Sequence, residues 1–272
     1  MVRHRAYDGY MLCRIEEVYV NITVKKGHLA EIKTQVIILA MCEDEKELKS
    51  LARIVDDKTQ GIITEVVKND DFKGKLSQTT LLYTRNRLPS PRVLLLGLGK
   101  KGELTLDKIR GAYARAMQTL RGLGVKDAAT AIDFEIPQMA EEKIAAAITE
   151  GALLGLYQFT PYKTVGRDDI KEMRQLDIVV GEAIFLQVRN EIKKAKVITD
   201  AVCFARDLIS APSNEMTPSM MAERARLGAK RKDVSCTVLD KGKMKALGMN
   251  ALLGVASGSH EPPKFIILEY TG

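Results

Sequence analysis

Residue types able to do chemistry are scattered along this sequence rather than gathered. Gly97, Gly99 and Gly102 form G-x-G-x-x-G directly after a strand-like run and ahead of a helical pattern. That is the setting of a dinucleotide-binding turn, where glycines let the backbone approach a pyrophosphate. Two features depart from it: the helical pattern starts only at Thr105, and the next strand offers Asp133, 31 residues past Gly102, where about 20 is expected. A glycine turn that lets the chain leave the strand accounts for the same residues. Histidine is the usual base and metal ligand near neutral pH, but His4, His28 and His260 are isolated, with no H-E-x-x-H and no pair at helical spacing. Each reads as a surface or turn residue.

Ser257 and Ser259 lie in Gly254-Val255-Ala256-Ser257-Gly258-Ser259-His260. The G-x-x-S-G order is one residue wrong for a nucleophile elbow, and a turn between helix and strand explains it. The pairs Asp56-Asp57, Asp70-Asp71 and Asp168-Asp169 would suit a two-metal hydrolase only if both members faced one site. Neighbours on a strand point to opposite faces, so solvated surface charge is the expected role. Arg224, Arg226, Lys230, Arg231 and Lys232, followed by Lys241, Lys243 and Lys245, form the one basic set suited to phosphate contacts, or else a wet helix face. No catalytic, cofactor-binding or metal-binding residue is assigned from these patterns.

The chain has 272 residues, enough for two modest domains or one large one. With 46% hydrophobic and 28% charged residues it has the composition of a folded globular protein. The longest apolar stretch, from Leu176 to Val188, is interrupted by Asp177 and Glu182, so no membrane span is expected. Arg14, Glu16 and Glu17 break up what would be the apolar core of a signal peptide after Arg3 and Arg5, which makes a cytoplasmic protein the expectation. Cys13, Cys42, Cys203 and Cys236 form no C-x-x-C pair, which excludes a zinc knuckle and a redox motif and leaves buried free thiols. The net charge of +7 divides into +3 for residues 1–170 and +4 for 171–272, so no basic tail stands out. Trp is absent and aromatics are 5%, which leaves little for base stacking.

The elements that must position these residues alternate between strand and helix. Strands are expected at 18–24, 35–40, 79–84, 92–96, 128–134, 175–180, 235–239 and 264–270. The run VIILA within the second is apolar and β-branched, as in a strand buried on both faces. Acidic residues 43–45 suit a helix N-terminus, and Leu48, Leu51, Ala52, Ile54 and Val55 follow at helical spacing. A second helix is capped by Thr105 and ends at Gly122 and Gly124; others span about 140–158, 182–209 and 241–247. Residues 160–169 read as a linker, and the chain after Leu247 as a Gly/Ser-rich turn.

Several ordered stretches resemble the leucyl (cytosol) aminopeptidase family of metallopeptidases. In the first part these are Asp71-Phe72-Lys73-Gly74-Lys75, Leu81-Leu82-Tyr83, and Arg92 through Lys100 with the Leu104-Thr105 helix start. In the second they are Ala205-Arg206-Asp207-Leu208-Ile209, Pro212, Asn214-Glu215-Met216-Thr217-Pro218 and Ala222. The series closes with Leu247-Gly248-Met249, Gly254-Val255, Gly258-Ser259, Pro262-Pro263 and Leu268-Glu269-Tyr270. Local physics agrees: Thr217 can cap a helix whose first position is Pro218, and Gly248 can end the one before it.

The resemblance implies an α/β protein with a macro-domain-like N-terminal domain over 1–165. Residues 166–272 would connect to and begin a zinc-exopeptidase-type α/β domain. Complete members are cytoplasmic, usually hexameric, and remove N-terminal residues such as Leu from peptides with two divalent cations, Zn²⁺ or Mn²⁺. The family's metal-binding segments, KGxTFDSGG-like and NTDAEGR-like, would follow the Leu268-Glu269-Tyr270 strand. The chain is therefore expected to be the N-terminal portion of such an enzyme, to bind no metal itself, to be inactive alone, and to expose an apolar edge at 265–270. The alternative is a non-catalytic module of the same family that binds nucleic acid or a nucleotide.

Overall fold

The computed structural model describes residues 20–272 except 46, 49, 135–138, 167–168 and 231–232. His4, Cys13, Asp168, Arg231, Lys232, the Arg3 to Glu17 leader pattern and the first two residues of the 18–24 strand lie outside the described residues.

Apolar β-branched runs become strands here, and the register of each divides its side chains between two helical layers. Strands β1 (Asn21–Lys26), β2 (Val36–Met41), β3 (Thr79–Tyr83), β4 (Arg92–Gly97), β5 (Asp127–Ala131) and β6 (Gln175–Val180) form one sheet in the order β1-β6-β5-β2-β4-β3. All pairings are parallel except β3 with β4. Val36 to Leu39 and Val93 to Leu96 are at most 3% exposed, as continuous apolar runs in a sheet covered on both faces should be.

Because successive strand residues face opposite ways, Ile38, Leu94, Leu96 and Ile178 pack with α3 (Leu106–Gly122), α4 (Glu141–Leu156) and the start of α5 (Phe185–Ser210). Ile37, Leu39, Val93 and Leu95 pack on the other face with α1 (Ser50–Thr59), α2 (Ile62–Lys68) and Phe72. The result is a three-layer α/β/α arrangement.

This unit extends through Cys203, and a second runs from Phe204 to Gly272. The second holds α6 (Pro218–Gly228), β7 (Val234–Leu239), α7 (Lys241–Ala246), α8 (Asn250–Ala256) and β8 (Phe265–Tyr270), with β7 and β8 pairing antiparallel. Thr217 caps α6 by accepting from the Met220 N–H at 3.3 Å, with Pro218 in the first turn. Gly248, at φ 72°, ends α7: its N–H donates to the Lys245 carbonyl, and the Met249 N–H to that of Met244.

The structure adds to or revises the sequence reading at four points. The helix after the acidic patch ends before Gln60-Gly61, both with positive φ, and α2, which no pattern marked, follows. The break is held by Asp56, which is 5% exposed and accepts from the Ile63 and Thr64 N–H groups at 2.8 and 3.1 Å. Asp56 is thus a buried helix cap rather than solvated surface charge; its neighbour Asp57 stays exposed beside Arg53. The turn expected after Leu247 contains α8. Finally, the chain beyond the 160–169 segment first re-enters the same sheet, where β6 lies between β1 and β5.

Candidate functional site

In doubly covered parallel sheets, ligands bind at the carboxyl ends of strands where connections leave to opposite faces. Here β2 leads to α1 on one face, while its neighbours β4 and β5 lead to α3 and α4 on the other. The residues at that point are Cys42 to Glu45, Gly97 to Lys101, and Asp133. The loop carrying Gly74 and Lys75 already fills it. A Cβ on Gly97 would stand 2.0 Å from the Lys75 carbonyl oxygen, so only glycine admits that backbone.

Hydrogen bonds complete the join. The Gly99 N–H donates to the Gly74 carbonyl at 2.9 Å, Gly97 N–H to that of Gln78 at 2.8 Å, and Glu43 N–H to that of Gly99 at 2.9 Å. The glycine motif therefore receives another stretch of the chain where a dinucleotide motif receives a pyrophosphate. Its partner, Lys73-Gly74-Lys75, was visible in the sequence only as a separate stretch, because pairing across more than twenty residues leaves no periodic signal. Gly102 sits in a single 3-10 turn, Lys101–Glu103, and α3 begins beyond it with Thr105 accepting from the Lys108 N–H at 3.2 Å. The N-terminus of α3 is thus separated from the glycines.

Carboxylates and lysines are both present at this place: Glu43, Asp44, Glu45 and Asp133 beside Lys75, Lys100 and Lys101. Asp44 accepts from the Lys101 N–H at 3.0 Å, and Asp133 from the Leu51 N–H at 2.8 Å in the first turn of α1. Asp133 is committed to that helix end rather than to a ribose. Partial burial raises its pKa despite the Leu51 bond, and Glu45 adds to the rise. Burial, then Glu45 and Asp44, push the Cys42 thiol up to about 11 against the opposing pull of Lys101. A thiol so held is protonated and inert at neutral pH.

The remaining singled-out residues stay apart or serve the backbone. His28 and His260 are exposed. Ser257 Oγ donates to the Gly254 carbonyl at 2.7 Å, and Ser259 Oγ accepts from the Glu261 N–H at 3.1 Å. Asp70 pairs with Lys73 at 3.1 Å, and Asp169 is exposed. Arg226, Lys230, Lys241, Lys243 and Lys245 are exposed, as a wet face requires, and Met244 is the buried residue of α7.

An open cleft of about 280 Å³ lies beside Arg121, Lys163 and Lys171. Two of its cations are taken up by helix ends: Arg121 donates to the Leu156 carbonyl at 2.9 Å and Lys171 to that of Gly122 at 2.7 Å. Among the described residues no group of three or more His, Cys, Asp or Glu side chains could hold a metal ion. The described residues do not fit a two-metal centre. Among them, too, no helix is long and apolar enough to cross a membrane.

Comparison with known proteins places these elements in context. Residues 36–165 match the model of the cytosol aminopeptidase family N-terminal domain, and residues 203–272 that of its catalytic domain. The chain is 40% identical to a probable cytosol aminopeptidase of Geotalea uraniireducens over 80% of its length, which is 44% of that relative. It is 36% identical to the cytosol aminopeptidase of Pseudomonas aeruginosa over 92% of its length and 50% of that protein. The chain thus spans about half the length of the curated relatives it matches. Among solved structures, a mutant of tomato leucine aminopeptidase superposes with a TM-score of 0.81 at 24% identity, over 93% of this chain and 51% of that one. The bottromycin maturation enzyme BotP, solved in complex with Mn, superposes with a TM-score of 0.67 at 22% identity, over 86% of this chain and 45% of that one.

Proposed function

The chain belongs to the cytosol aminopeptidase family, and from that premise we propose that its residues build the N-terminal domain and the opening of the catalytic domain of a two-metal leucyl aminopeptidase. The observation that carries this reading is the order of the two matched domains, 36–165 and then 203–272, on a chain that the relatives continue for about as long again. In the proposed division, residues 1–165 form the N-terminal domain. Residues 166–272 return one strand, β6, to its sheet and then lead through α5 into the catalytic domain.

The whole enzyme would act in the cytoplasm, as a hexamer, on peptides with an N-terminal residue such as Leu. Two divalent cations, Zn²⁺ or Mn²⁺, would polarise the peptide carbonyl and lower the pKa of the attacking water. The described residues supply no such site. Their part is to fold the scaffold from which the metal-bearing segments project. These 272 residues alone, given Mn²⁺ and a Leu-anilide, are expected to release no aniline above the blank; release at a rate typical of the family would overturn the reading. Sequencing the reading frame past codon 272 tests the family side. A KGxTFDSGG-like segment is expected there, and a stop codon would favour a non-catalytic relative.

A further inference from the structure

Helices α3 and α4 run side by side in the same direction. A Cβ on Gly151 would stand 2.3 Å from the Arg110 carbonyl oxygen and one on Gly155 2.6 Å from the Ala114 Cα, so equal steps along one helix meet equal steps along the other. Their carboxyl ends, at Gly122 and Leu156, therefore emerge at one place. Each end leaves carbonyls without helical partners and carries roughly half a negative charge. Arg121 and Lys171 answer them by donating to the Leu156 and Gly122 carbonyls.

Those bonds use one N–H of each side chain. An arginine has five N–H donors and a lysine three, so donors and positive charge remain on side chains already anchored. The chain leaving α4 turns at Thr160 and again at Gly166, whose carbonyls accept from the Lys163 and Asp169 N–H groups at 3.0 and 3.3 Å. It brings Lys163, Asp169 and Ile170 to the cleft of about 280 Å³ that Arg121 and Lys171 also line. Three cations thus outweigh two half-charged helix ends, and one carboxylate shares the cleft with them. Among the described residues neither the Lys163 ammonium nor the Asp169 carboxylate has a side-chain partner.

This set of charges selects its ligand. A dianion such as phosphate would meet the Asp169 charge with nothing to offset it, and a lone ammonium would meet three cations. A molecule with a carboxylate and an ammonium on neighbouring atoms answers both. Ile170, half-buried in the same cleft, and the methylene stems of the lysines offer an apolar side chain a surface.

We propose that this cleft binds a free α-amino acid with an apolar side chain, its carboxylate held by Arg121, Lys163 and Lys171 and its ammonium by Asp169. The site lies wholly in the first unit. It is at the opposite end of α3 from the glycine turn, about 25 Å away by the rise of the helix. In the enzyme proposed above a free amino acid is the product, so occupancy of the cleft would report product; that use rests on the family reading, while the binding itself does not.

A nuclear magnetic resonance titration of the isotope-labelled chain with leucine tests it. Shifts centred on residues 118–122 and 158–171 are expected to saturate, with a dissociation constant of about 1 mM or below. N-acetyl-leucine, which lacks the ammonium, leucinamide, which lacks the carboxylate, and inorganic phosphate are each expected to bind at least tenfold more weakly. Lys163→Gln and Asp169→Asn change exposed side chains that hold nothing else among the described residues, so both variants keep the fold. The first is expected to weaken leucine at least fivefold, and the second to erase the preference for leucine over N-acetyl-leucine.

No saturation at about 20 mM leucine, equal binding of N-acetyl-leucine or phosphate, or leucine binding that Lys163→Gln leaves unchanged would each overturn the proposal. The titration involves no turnover, so its failure leaves the aminopeptidase reading standing. Failure of the chain and its relatives to release Leu from an anilide leaves the cleft standing in turn.

Discussion

Strands β4 and β8 are six residues long, one in each unit, and each carries four consecutive apolar residues, yet Val93 to Leu96 are 0% exposed while Leu268 and Tyr270 are 55% and 74% exposed. The difference lies in neighbours rather than in composition. β4 has a strand on each side and helices over both faces, whereas β8 has one strand beside it among the described residues. The same hydrophobic free energy per unit area is therefore realised in full in the first unit and only in part in the second. An apolar sequence fixes how much a strand stands to gain from burial, and its partners fix how much it does gain.

The sharpest way to break this comparison is to take a partner away from the first sheet. A chain ending at residue 165 lacks β6, which leaves β1 without its strand neighbour and turns β5 into an edge. Its circular dichroism melt is expected to lose cooperativity, while a chain ending at Ser210 keeps it; a cooperative melt for the shorter chain would show that the sheet does not depend on β6.

Next in size is the exchange of like residues. Leu95→Ala is expected to cost about 3 kcal/mol, lowering the melting temperature of the first unit by roughly 10 °C. Leu268→Ala is expected to cost less than about 1 kcal/mol. Equal losses in calorimetry would mean that β8 is as well packed as β4.

Glycines sharpen the same contrast. Gly97→Ala drives a methyl group into the Lys75 carbonyl and is expected to cost about 2–3 kcal/mol. In α8, Gly254 has nothing within 4 Å of its would-be Cβ, so Gly254→Ala is expected to add roughly 0.5–1 kcal/mol through helix propensity. Urea midpoints of the two variants should move in opposite directions.

The last effect, confined to alkaline pH, concerns the thiol beside the first sheet. Burial holds the Cys42 pKa up to about 11 against 9.0 for an ordinary thiol, so the folded chain keeps a proton that the unfolded chain releases. Stability is therefore lost as pH rises from about 9 to about 11, with a slope of up to one proton. Cys42→Ala should flatten the stability profile by that slope, in urea melts taken across the window. An unchanged slope would place the thiol outside the core.

Local signals in the sequence were read correctly where the physics was itself local. The Thr105 and Thr217 caps, the Gly248 helix end and the buried run at 36–39 each depend on neighbours within a few residues. Errors arose where a residue's partner is distant or its local pattern ambiguous. Asp56 looked like surface charge because its bonds run to Ile63 and Thr64, beyond an unexpected helix break. α8 was hidden because no side chain caps it at Met249, it holds Gly254, and it runs directly into the turn residues Ser257-Gly258-Ser259.

By itself the sequence determined the alternation of strand and helix, the helix caps and the family. These follow from hydrophobic period, from residue types at chain ends, and from motifs read in order. Only the tertiary structure decided that Gly97 meets Lys75 rather than a ligand and that β6 lies between β1 and β5 in the first sheet. Each of those depends on which backbone lies beside which, and strand neighbours are chosen across long sequence separations that no local pattern records.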